Sequence, residues 1–114
     1  MTPADLLALA ERVEREEPSA ELAVAVMRAT NWTSEGNPLR SLDAVVRLVP
    51  AGWIVTDSTQ YVTENGGTRW HHSLWSEQHD NERMVSGDAP TEPRARTAAA
   101  LRARALAQEK NDGR

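Results

Sequence analysis

His71, His72, His79 and Asp80 are the one grouping in this 114-residue chain with the residue types of a metal site. Adjacent residues of a strand point to opposite faces, so His71 and His72 cannot share one tetrahedral ion without a bulge. No metal site is expected; His72 reads as a partly buried sheet residue and His79 as a loop residue. Ser58, Ser73 and His71 fall on one face of the expected sheet, with Asp57 close in sequence, and these are the types of a hydrolytic triad. Asp57 is expected on the opposite face, however, and no serine sits in the glycine-framed turn of a nucleophile elbow. Plain polar strand residues are the simpler reading, so no catalytic residue is assigned. Gly66-Gly67 belongs to a hairpin and Gly87 precedes a loop, so neither resembles a phosphate-cradling motif and no cofactor is implied.

Recognition chemistry is better represented. Trp75 shares the polar sheet face with Arg69 and His71, and an exposed aromatic beside Arg and His can stack on a base or anchor a partner protein. Burial of Trp75 beneath the first helical hairpin is the favoured reading of that residue, since helices on both faces would leave little bare sheet. Trp32, in a loop, is the fourth binding candidate after Arg69, His71 and Trp75. Arg94, Arg96, Arg102 and Arg104 crowd the last helix without forming one stripe. The helix–three strands–helix order from Ser41 onward matches double-stranded RNA-binding domains, in which the start of the last helix meets phosphates. Arg94 and Arg96 would lie there and form the alternative nucleic-acid site. Against it stand the net charge of −4 and the shortage of lysine, since phosphate neutralisation dominates such affinity.

The elements that must position these residues follow from caps and periodicity. Thr2-Pro3-Ala4-Asp5 opens a helix with Leu6, Leu7, Leu9, Ala10 and Val13 as its apolar stripe. Pro18 stops it and Ser19 caps a second helix with Leu22, Ala23, Val26 and Met27 inward, giving a helical hairpin over 3–30. Residues 31–40 are a loop. Ser41 caps a third helix that Pro50 breaks. Trp53 to Thr63 and Thr68 to Glu77 flank Glu64-Asn65-Gly66-Gly67, a hairpin signal because Asn and Gly tolerate positive φ. A two-residue loop there puts Trp53, Val55, Tyr61, Trp70, His72 and Leu74 on the core face. Ile54, Thr56, Ser58, Gln60, Arg69, His71, Ser73 and Trp75 take the polar face. Arg83 to Ser86 makes a short third strand, and Thr91 caps the last helix, with Ala95, Ala98, Leu101 and Ala105 inward. Residues 41–110 form an αβββα core, the whole of 1–110 is one domain, and 111–114 are a frayed tail.

Composition bounds the rest. The absence of Cys excludes disulfides and thiolate chemistry. No apolar run reaches membrane-spanning length and the chain opens into an amphipathic helix, so a cytoplasmic protein with no membrane contact is expected. There is no Phe, and a core built on Ala, Leu, Val and Trp buries modest area per residue, which keeps a homodimer open.

The opening MTPADLLALAERVE, the Asn31-Trp32 after the second helix, LDAVVRLVPAGW, the Trp-rich hairpin, and GDAP running into AAALRARALA together resemble the phage ABA-sandwich domain family. The loop after Trp32 is shorter than such proteins often carry. The resemblance implies an α+β fold, a three-layer α/β/α sandwich with an antiparallel three-stranded sheet in the order ααα-βββ-α, and a small phage or prophage protein. It implies no activity. The expected function is therefore non-enzymatic binding, of a host protein (a defence-system component among the candidates) or of a small nucleotide signal, with RNA or DNA binding through the last helix as the alternative.

Overall fold

Thr2 begins the first helix as expected: its hydroxyl accepts from the Asp5 N–H at 3.1 Å while the Asp5 carboxylate accepts from the Thr2 N–H at 3.0 Å, a reciprocal capping box. The computed structural model describes residues 2–30, 37–40, 48–78 and 81–112. Helix α1 (Pro3–Arg15) buries Leu6, Leu9, Ala10 and Val13. Ser19 caps α2 (Ala20–Ala29) by accepting from Leu22 N–H at 3.1 Å, and α2 buries Leu22, Ala23 and Val26. Strands β1 (Ile54–Val62), β2 (Thr68–Gln78) and β3 (Asn81–Ala89) form an antiparallel sheet in chain order, and helix α3 (Glu92–Asp112) follows. The fold is α+β, and its two helices, three strands and closing helix follow the expected ααα-βββ-α order apart from the third helix. Most of the third expected helix, residues 41–47, lies outside the described residues; its expected end at Leu48 and Val49 is a turn instead of helix, and Leu39 and Leu48 are both buried.

Helix α3 is the centre of the molecule. Its alanines at 95, 98, 99, 100, 103 and 105 are essentially inaccessible, because α3 packs on α1 as well as on β2 and β3. Small side chains let backbones approach closely, and Gly87 of β3 shows how closely. A Cβ there would lie 2.1 Å from the Ala95 carbonyl oxygen and 2.8 Å from the Ala99 nitrogen, so only glycine fits. One core gathers Leu6, Leu9, Val13, Leu22, Val26 and Leu101 around α1 and α2. A second gathers Trp53 and Leu74 with Ala99 and Ala103 between sheet and helix. Among the described residues the helices cover one sheet face, and none lies on the other.

Two expectations about the strands need correction. Strand β3 runs from Asn81 through Gly87-Asp88-Ala89 instead of stopping at Ser86, since its pairing with β2 extends to Trp70↔Ala89. The β1–β2 connection is not a two-residue loop. The Thr63 N–H donates to Gly67 O at 2.8 Å, closing Glu64–Gly66 with Gly66 at φ 82°, and Tyr61 pairs with Arg69. That one-residue change moves Tyr61, Thr59 and Asp57 onto the face of Arg69 and His71, and sends Ser58 and Gln60 to the other. A bulge between Val55 and Asp57 then restores the expected sides for Ile54 and Val55. No described helix is long and apolar enough to cross a membrane.

The open sheet face as candidate binding site

The uncovered face reads as transverse rows set by strand register. Ile54, Trp75 and Met84 are directly paired across all three strands, as are Asp57, Ser73 and Ser86, then Thr59, His71 and Asp88, and Tyr61 pairs with Arg69. The first row is apolar and lies open: Ile54 is 56% and Met84 64% exposed, with Trp75 half-buried between them. At the other end Asp88 gathers the charge. Its carboxylate accepts from the Tyr61 hydroxyl and, at 2.5 Å, from Arg69 Nε, while Arg69 Nη2 reaches the Asp88 carbonyl at 3.1 Å. Burial works against the Asp88 charge, but the hydrogen bonds from Tyr61 and Arg69 outweigh it and hold the carboxyl below its ordinary value. The same bond to Asp88 raises the Tyr61 phenol. The face is thus half apolar row, half pre-ordered charge network.

The expected residues Arg69, His71 and Trp75 do share this face; Trp32 lies outside the described residues. Tyr61, Asp88, Ile54 and Met84 were not among the candidates. A two-residue loop puts Tyr61 on the core face, Asp88 reads as part of the turn into the last helix, and a third strand of Arg83 to Ser86 alone gives Met84 no assigned face.

The face also assembles a serine, a histidine and an acid. Ser73 Oγ is 3.1 Å from His71 Nε2, and His71 Nδ1 is 3.9 Å from Asp88 Oδ2. The arrangement does not make a nucleophile. Ser73 is 6% exposed in the middle strand, Asp88 is already committed to Tyr61 and Arg69, and 3.9 Å is beyond a hydrogen bond. Asp57, expected on the opposite side, shares the face but accepts from Thr59 at 2.5 Å instead of reaching His71.

The arginines of α3 correct the nucleic-acid alternative. Arg94 is 2% exposed. Its guanidinium donates to Val13 O at 3.0 Å, Glu14 O at 3.3 Å and Glu16 O, closing the C-terminal end of α1. Arg96 holds Glu92 at 2.8 Å, Arg102 holds Glu14 at 2.6 Å, and Arg104 donates to Leu48 O at 2.8 Å. The cluster that reads as a phosphate-binding surface is internal wiring.

On the covered face a cavity of about 340 Å³ is lined by Val49, Pro50, Trp53, Val55, His72 and Arg96. Burial, with the Arg96 charge adding to it, pushes His72 down to about 4, so the ring is neutral. Its Nδ1 and the Trp53 Nε1 lack hydrogen-bond partners, but both are sealed from the cavity's solvent. Among the described residues no three His, Asp or Glu groups converge as metal ligands; His79 and Asp80 are outside them. With this geometry in hand, comparison with family models, curated proteins and solved structures finds no match to the chain.

Proposed function

We propose that the protein is a non-enzymatic binding module that engages a partner protein through the open sheet face. The observation that carries this reading is the exposed row Ile54–Trp75–Met84, register-paired across the sheet beside the Tyr61–Arg69–Asp88 network. An aromatic anchor with apolar neighbours and a polar rim is how protein interfaces concentrate their energy. A pre-ordered Arg lowers the entropy lost on docking. A phage or prophage origin, with a host protein as target, rests on the sequence resemblance alone. A small nucleotide is the less supported ligand, because the Arg69 charge is already neutralised by Asp88.

The test is capture of partners from bacterial lysate by tagged wild type and by Trp75→Ser and Met84→Asp variants, with and without nuclease. A stoichiometric protein band that survives nuclease and disappears with both folded variants supports the reading. A band retained by both variants, or recovery of nucleic acid alone, overturns it.

A further inference from the structure

The two edges of the sheet differ in what closes them. Along β3 the outward N–H of Asp88 donates to Glu14 at 2.8 Å, and the outward carbonyl of Ser86 accepts from Arg102 at 2.8 Å. Glu14 and Arg102 are themselves paired. Burial opposes the Glu14 charge, but Arg102 and the Asp88 N–H together hold its carboxyl below the ordinary value. A bare strand edge is a template for another strand, and this one is stoppered.

Among the described residues, none closes the β1 edge in this way. The strand is nine residues long, exposed at every position except a half-exposed Ser58, and Asp57 is its only charged residue. The phase of the ladder says which backbone groups point outward. Because Ser86 and Asp88 turn theirs away from β2, their partners Ser73 and His71 bond to β1 at Asp57 and Thr59. The Thr63–Gly67 bond continues that phase. Ser58, Gln60 and Val62 therefore turn their N–H and C=O groups outward along the edge, where no described residue bonds to them.

We propose that this edge pairs antiparallel with the same edge of a second copy, through the backbone groups of Ser58, Gln60 and Val62, making one continuous six-stranded sheet. The segment Ser58–Val62 is uncharged and rich in strand formers. A two-fold axis through Thr59 or Gln60 sets neither Asp57 opposite its symmetry mate. Each copy is acidic overall, so an uncharged seam is where two copies can meet with least repulsion. Val62, 70% exposed alone, gains a cross-strand neighbour. The two-fold runs perpendicular to the sheet, so both open faces lie side by side. The proposal does not depend on what those faces bind.

Sedimentation velocity over the micromolar to millimolar range tests it, on wild type, Gln60→Pro and Val62→Asp. Proline at 60 removes an outward N–H that the β1–β2 ladder does not use, and aspartate at 62 places like charges at the seam without touching a core. Wild type should sediment at twice the 12.6 kDa chain mass, and both variants at the single mass with wild-type circular dichroism. If Gln60→Pro unfolds, Val62→Asp alone decides. A wild type monomeric throughout, or a dimer that withstands Val62→Asp, overturns the proposal; the first result would leave the edge to a strand from a different protein.

Discussion

The two faces of this sheet solve opposite problems with the same three strands. The covered face brings Gly87 and Ala89 against the alanines of α3, and closeness is all it achieves. It keeps polar atoms without partners, at Trp53 Nε1, Ser58 Oγ, His72 Nδ1 and Ser76 Oγ. The open face carries Ile54, Tyr61, Arg69, Trp75 and Met84, and its Tyr61, Arg69 and Asp88 are bonded to one another. Polar satisfaction has gone to the side that water could have satisfied anyway. A buried face needs shape first, whereas a face kept for binding gains by holding its charges in place before a partner arrives.

That contrast can be broken most severely at Gly87. Gly87→Val should cost about 4 kcal/mol and abolish cooperative unfolding near room temperature, because the side chain meets α3 backbone and cannot rotate away. Ser86→Val, its neighbour on the open face, should cost about 0.5 kcal/mol or less by the same thermal melts.

The neutral His72 gives the next largest effect. Its folded-state value of about 4 lies below its ordinary 6.5, so the unfolded chain binds the extra proton between these values. Stability is full above about 6.5, falls as pH drops through that window, and should lose about 3 kcal/mol by its lower end. Urea titrations at stepped pH would show the slope, and His72→Gln should flatten it.

Arg94→Met should cost about 2 kcal/mol, since it orphans the Val13, Glu14 and Glu16 carbonyls at the end of α1. Its loss should not change with salt, as it would for a phosphate-binding arginine. Trp75→Ser sharpens the comparison at its weakest point. It should cost about 1 kcal/mol in a melt, because the ring is only half-buried, while reducing partner affinity at least about tenfold in a titration.

What the sequence discloses is set by the range of the interactions involved. Caps and apolar periodicity are local, so Thr2, Ser19 and the stripes of α1 and α2 place the helices correctly, and the Asn-Gly signal finds the hairpin. Face assignment is less robust. One residue of loop length moved Tyr61 across the sheet, and a bulge at Thr56 that no local residue announces moved the start of β1 back. Arg69, His71 and Trp75 were legible as a group because they alternate within one strand. Asp88 was not, because Gly87-Asp88-Ala89-Pro90 reads as a turn until α3 is known to demand a glycine at 87. The arginines of α3 misled for the same reason: a guanidinium on α1 carbonyls and one on a phosphate have the same sequence.

The bonds joining Glu14 to Asp88 and Arg102, and Arg94 to Val13, span 74 to 88 positions along the chain. During synthesis α1 emerges long before the residues that finish its C-terminal end and use its glutamate. Such long-range closure is slow relative to local helix formation. The N-terminal helical hairpin therefore stays half-made on the ribosome, with Leu6, Leu9 and Val13 covered only in part by α2, until the last helix is translated. A chain stalled before residue 94 should be a chaperone substrate, and completing it by one further helix should release it.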